Sequence, residues 1–115
     1  MTRMTLGKDG LPLSMVASLK QIGEHIQLAR KRRGMTMEQL AQAMLVTRKT
    51  LSRLEAGDPG ISLGVLASAL HALSLEDSLT ALAAPETDKG GVWLDKMSHV
   101  KTKRVRATVP DNLKF

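Results

Sequence analysis

The chain has no cysteine and no tyrosine, one tryptophan, one phenylalanine and four prolines among its 115 residues. The missing thiols exclude disulfide staples, thiolate metal sites and thiol nucleophiles together. With so few aromatic rings, a core has to be built from Leu, Ala, Ile, Val and Met, and the stacking platforms that hold single-stranded nucleic acid are not expected. No run approaches the ~18 apolar residues of a membrane span, and the opening segment MTRMTLGKDGLPLSMVASL lacks the continuous apolar stretch of a signal peptide. The expectation is therefore a soluble cytoplasmic protein without a membrane partner. Acidic residues are also scarce, 11 against 17 Lys and Arg, for a formal net charge of +6 and an isoelectric point near 10.1. That surplus points to a polyanionic partner, nucleic acid or an acidic membrane surface. The length suits one small domain with tails.

Gly7, Gly10 and Pro12, with no apolar period around them, mark residues 1–13 as a flexible arm. From Ser14, read as an N-cap, Leu19, Ile22, Ile26 and Ala29 recur three and four apart, as on a helix with one buried face. Arg30, Lys31, Arg32 and Arg33 crowd its last turn, where cations complement the helix dipole, and Gly34 ends it. This cluster reads as a solvated helix end, with a phosphate-contacting patch as the alternative. Thr36 and Gln39 form a capping box for a two-turn helix carrying Leu40, Ala41 and Met44. Thr47 caps a third helix, with Leu51 and Leu54 inward, which the turn formers Gly57, Asp58, Pro59 and Gly60 close. Ser62 opens a fourth, with Leu63, Leu66, Ala67, Leu70 and Leu73 at helical spacing, and a short fifth is expected from Leu75 to Leu82. Pro85 ends the helical unit, which gives a folded domain over residues 14–84. Residues 85–115 read as a basic tail without a helix. Within it, the alternation over Val100 to Val109 fits a strand if a partner edge is supplied, or simply a basic tail. The charge divides evenly, +3 in residues 1–85 and +3 in residues 86–115.

The informative segment is TMEQLAQAMLVTRKTLSRLEAG, residues 36–57. Two short capped helices joined by Leu45 and Val46 must cross sharply. Ala41 permits a close approach, while Val46 and Leu51 fill the angle. The outer face of the second helix then presents Arg48, Lys49, Ser52 and Arg53, a strip of donors free of carboxylates. A single α-helix fits the DNA major groove, roughly 12 Å wide, and such a strip suits its base edges.

The run LAQAMLV with TRKTLSRLE, the lead-in IGEHIQLARKRRGMT and the helix SLGVLASALHALSL make residues 19–82 resemble the helix-turn-helix repressors of the Cro type, the XRE family. The resemblance implies an all-α, five-helix, lambda-repressor-like domain that binds double-stranded DNA as a homodimer at an inverted-repeat operator in the bacterial cytoplasm. It places Arg48, Lys49 and Arg53 at base edges of a guanine-containing half-site, and Thr36, Thr47, Thr50 and Ser52 at the DNA backbone. It also implies an ion pair between Arg30 and Glu55 that ties the first helix to the third. Two positions depart from the family pattern: Met37 stands where Gln usually contacts phosphate, and Leu45 where the tight turn usually has Gly. The stretch GDPGISLGVLASALHALSLEDSLTAL followed by a basic tail is similar to the HipB-like antitoxins encoded beside HipA-type serine/threonine kinase toxins. That similarity implies a repressor of its own operon that also holds the kinase inactive, with the tail contributing dimer or toxin contacts. A stand-alone or phage-type XRE regulator is the alternative, as is a protein-interaction module without specific DNA binding.

Nothing assembles into a catalytic site. Glu24 and His25 lie on different helix faces, there is no nucleophile elbow or phosphate loop, and His25, His71 and His99 have no ligand-spaced partners. No enzyme, metal or cofactor is expected. The seven methionines read as core filler or dimer surface. Trp93 is either a lone exposed ring or an interface anchor, and it joins Leu79 and Leu82 as expected partner or dimer contacts.

Overall fold

A computed structural model describes residues 10–98. The strand reading of Val100 to Val109, His99 and residues 1–9 of the N-terminal arm lie outside the described residues. Six α-helices and no strand occur among the described residues: α1 (Leu13–Arg32), α2 (Met37–Met44), α3 (Arg48–Glu55), α4 (Leu63–Ala72), α5 (Glu76–Thr80) and α6 (Lys89–Met97), with a 3-10 turn at Pro85–Thr87. The chain divides into two compact units, the first ending at Leu79 and the second beginning at Thr80, where the sequence reading set the boundary at residue 84.

In the first unit α1 starts one residue before Ser14, and its N-cap is Pro12 rather than that serine. Proline suits the position because its fixed φ holds the chain extended while its carbonyl accepts from the amides of Met15 and Val16, at 2.9 and 3.1 Å. The capping box of α2 is formed: Thr36 Oγ1 accepts from the Gln39 amide at 3.0 Å, and Gln39 Oε1 from the Thr36 amide at 2.8 Å. Thr47 and Ser62 cap α3 and α4 in the same single-hydroxyl manner. Leu40, Leu51 and Leu73 are fully buried, and Ile26, Ala41, Met44, Leu54 and Ala69 complete the core around them. Each of α1 to α4 thus contributes to a single apolar centre. Two positions of the expected stripes are exposed instead: Ile22 at 36% and Leu63, in the first turn of α4, at 68%.

The approach of α3 to α1 depends on a missing side chain. Gly23 is buried in the middle of α1, and a Cβ there would collide with the backbone carbonyl of Glu55, the last residue of α3. Gly57 answers it from the other side, with φ +78° and a place for Cβ only 2.6 Å from the Lys20 Cα. The two backbones therefore meet without intervening side chains, which fixes how far α3 stands out from the body.

Four helices end in a left-handed residue whose neighbour bonds back across the last turn, at Gly34, Leu45, Gly57 and Ser74. At α2 the residue is Leu45, φ 60°, followed by a Val46 amide bond to the Ala41 carbonyl at 3.0 Å. This conformation normally favours glycine, and a leucine in it carries about 1–2 kcal/mol of strain. The tight turn between α2 and α3 is thus reached with leucine in place of glycine.

The second unit corrects the reading of residues 85–115 as a helix-free tail, because α6 spans Lys89–Met97. The adjacent Gly90 and Gly91 count against a helix, since each glycine weakens one by about 1 kcal/mol. Both fall in the first turn, where the Asp88 carboxylate accepts from the Gly91 amide at 2.9 Å and substitutes for propensity. A Cβ at Gly91 would strike that carboxylate, so the glycine lets the cap close. The fifth helix is also shorter than the Leu75 to Leu82 expectation, at Glu76–Thr80, with Leu79 half-buried and Leu82 57% exposed.

Candidate nucleic-acid interface

The α2–α3 pair is held from behind. Leu40, Ala41 and Met44 of α2 and Leu51 and Leu54 of α3 are all buried, so the opposite face of α3 must look outward. Arg48, Lys49, Ser52 and Arg53 form that face, at positions one turn apart on the helix, and all four are exposed. Thr36 and Thr47, the caps of α2 and α3, are exposed as well, whereas Thr50 is half-buried. In each cap the threonine oxygen accepts from a backbone amide, which leaves the hydroxyl hydrogen to donate. Thr47 and Thr50 share one such hydrogen across 3.1 Å. Between the openings of the two helices lies a shallow hollow lined by Thr36, Glu38, Gln39, Ala41, Gln42, Val46 and Arg48. The N-termini of α2 and α3 beside the exposed Arg48 and Lys49 give this region donors suited to an anion.

The strip is not free of carboxylates, contrary to the sequence reading. Arg53 Nε donates to Asp58 Oδ2 at 2.7 Å, while Asp58 Oδ1 accepts from the Gly60 amide at 2.8 Å. By sequence alone Asp58 reads only as a turn former. Its role depends on the loop folding back beside α3, which no local spacing announces.

Behind the strip, Arg30 and Glu55 form a two-pronged pair, Nε to Oε2 at 2.8 Å and Nη2 to Oε1 at 3.2 Å, with side chains 8% and 5% exposed. Arg30 Nη1 also donates to the Met35 carbonyl at 3.0 Å. One arginine therefore clamps the end of α3 and the linker before α2 onto α1. The cationic cluster at the end of α1 is thereby divided: Arg30 is buried, Arg33 bonds back to the Ala29 carbonyl at 2.8 Å, and Lys31 and Arg32 are exposed. Met37, which departs from the glutamine that the resemblance implies, is half-buried against the core.

A family model described as a helix-turn-helix domain matches residues 21–83. The chain belongs to the helix-turn-helix domain family. The helix-turn-helix match runs from within α1 through α5 and stops before α6. Membership supports a DNA-binding regulator, and domains of this family are typically not catalytic. A comparison with curated proteins found no match. No helix among the described residues of this helix-turn-helix protein is long and apolar enough to cross a membrane, and no group of three or more potential metal ligands occurs among them. Trp93, in α6, is 58% exposed, as are Leu94 at 60% and Met97 at 66%.

Proposed function

We propose that this helix-turn-helix protein is a sequence-specific repressor that binds double-stranded DNA as a homodimer on an inverted-repeat operator, with α3 as the recognition helix. The observation that supports it most is the outward strip of Arg48, Lys49, Ser52 and Arg53 on a helix whose other face is buried. In this reading Arg48, Lys49 and Arg53 contact base edges, and Thr36, Thr47, Thr50 and Ser52 contact the DNA backbone. A Lys or Arg placed on guanine O6 and N7 is worth ~1–3 kcal/mol of discrimination, so the half-site contains guanine. Two-fold symmetry sets the two copies of α3 about 34 Å apart, one turn of duplex, and repression follows from occupying promoter DNA in the bacterial cytoplasm. Leu79 and Leu82 contribute to the contact between copies.

The finer proposal is an antitoxin role beside a HipA-like serine/threonine kinase, with autoregulation of the shared operon. The similarity of residues 57–82 to that group supports it, as does the exposed apolar side of α6 around Trp93, which suits a protein partner. Footprinting on the DNA upstream of its own gene at physiological salt tests the repressor reading, and the absence of any protected region overturns it. Co-purification with the product of the adjacent gene, and inhibition of that product's kinase activity, tests the antitoxin step.

A further inference from the structure

We propose that Asp58 is a positioning residue for base reading: it holds Arg53 so that the end of its guanidinium fork, rather than its charge, is what the DNA meets. The inference rests on the proposed role of α3 as recognition helix and assigns a function to a loop residue outside it. Three observations converge. Arg53 Nε is bound to Asp58 Oδ2 at 2.7 Å, while the arginine side chain remains 46% exposed and the aspartate is 20% exposed. Asp58 is itself held, because Oδ1 accepts from the Gly60 amide at 2.8 Å. Gly60 also lies against the fork, so that a Cβ there would stand 3.3 Å from Arg53 Nη2 and 3.3 Å from Asp58 Oδ1.

The chemistry decides between the two kinds of DNA contact. A phosphate is held largely by net positive charge and the release of counterions, and an arginine already neutralised by a carboxylate brings little of either. A phosphate would in addition be repelled by Asp58. A guanine edge is neutral overall and is read by the direction of two donors. With Nε committed to Asp58, the edge of the fork that includes Nε is occupied, and the end carrying one N–H from each of Nη1 and Nη2 is left to reach O6 and N7. The loop thereby restricts Arg53 to one way of reading and removes part of the side-chain freedom that binding would otherwise cost.

The test starts with selection of preferred duplexes by the full chain from a randomised pool, followed by fluorescence anisotropy on the selected duplex and its single-base-pair variants over a series of KCl concentrations. Asp58→Asn keeps an oxygen for the Gly60 amide and removes the charge. It should lose about tenfold of discrimination at one base pair, the pair also lost in Arg53→Ala, while its salt dependence stays as steep as that of the wild type or becomes steeper. In an Arg53→Ala background the same change should have no further effect at that pair. Gly60→Ala, which presses on the fork without altering charge and whose position lies outside the left-handed region, should weaken the same pair in the same direction. Unchanged discrimination in both loop variants, or an equal loss with and without Arg53, overturns the positioning role. A salt slope lowered by about 1 in Arg53→Ala marks a phosphate contact and also overturns it. A wild-type chain that selects no sequence fails earlier and refutes the recognition-helix reading itself.

Discussion

Removing one partner of the Arg30–Glu55 pair should cost more than any single change on the DNA-facing surface. Both side chains are almost out of contact with water, and together they make the two-pronged bond plus the Arg30 bond to the Met35 carbonyl. Glu55→Ala leaves a guanidinium buried without its counter-charge, a change that typically costs about 3–5 kcal/mol. A domain of roughly 70 residues has only about 4–10 kcal/mol in total, so a third or more of the stability is at stake. At roughly 4–8 °C per kcal/mol for a domain of this size, Tm should fall by at least ~12 °C. Arg30→Met with Glu55→Leu fills the same space with apolar groups and abolishes the desolvation problem, so the double variant should lose less than Glu55→Ala alone, keeping a deficit of about 1 kcal/mol for the unpaired Met35 carbonyl. The assay is urea unfolding followed by far-ultraviolet circular dichroism. Helicity is the appropriate signal because the only tryptophan, Trp93, belongs to the second unit and its fluorescence would report on the wrong part of the chain. Single variants costing under about 1 kcal/mol each, with effects that simply add in the double, would refute the reasoning and leave the pair as two independently satisfied groups.

Leu45→Gly relieves a left-handed leucine that is 91% exposed and so gives up little burial; stability should rise by about 1 kcal/mol, and an unchanged urea midpoint would contradict the strain assigned to that turn. Gly23→Ala and Gly64→Ala both favour helix by about 1 kcal/mol on propensity alone, yet only the second should stabilise. The first drives a Cβ into the Glu55 backbone, an overpacking cost of about 1–3 kcal/mol or more, whereas at Gly64 the nearest atom is Ser62 Oγ at 3.8 Å. Equal effects at the two sites in thermal melts would count against the close crossing of α1 and α3. The Glu76 carboxyl is held below its ordinary value, first by its hydrogen bond with His71, 2.7 Å away, and then by its own backbone amide. A lowered carboxylate stabilises the fold above its ordinary titration range and loses that contribution as pH falls through the lowered value, an effect kept small here because both partners are exposed to solvent. A carbon-detected NMR titration should find Glu76 below the usual carboxylate range and returning toward it in His71→Ala; no change in that variant removes His71 as the cause.

The helices of the first unit were legible because their signals are local. The Thr36–Gln39 box, the Thr47 and Ser62 caps and Gly34 each act within one turn, and the periodic leucines act within one face. The outward strip on α3 followed from the same period, since burying Leu51 and Leu54 leaves Arg48, Lys49, Ser52 and Arg53 outside. The α6 helix was missed because local propensity counted two glycines against it, while the Asp88 cap that offsets them is a single bond. The limits of the buried stripes were missed as well: periodicity identified the face bearing Ile22 and Leu63 but not where the packing against it stops.

Taken by itself, then, the sequence determined the order of helices α1 to α5, where α2, α3 and α4 begin, and which side of α3 faces outward, because hydrogen bonds within a turn and apolar period need no distant partner. What only the tertiary structure decided are meetings that helical period and capping do not announce. Gly23 shows its purpose only when Glu55 and Gly57, more than thirty residues on, arrive beside it, and Arg30 finds its counter-charge only when Glu55 does. Even Arg53, five residues from Asp58, acquires that carboxylate only when the loop after α3 folds back. Such contacts depend on the angle and distance between packed helices, quantities set by the whole core at once and written in no single segment.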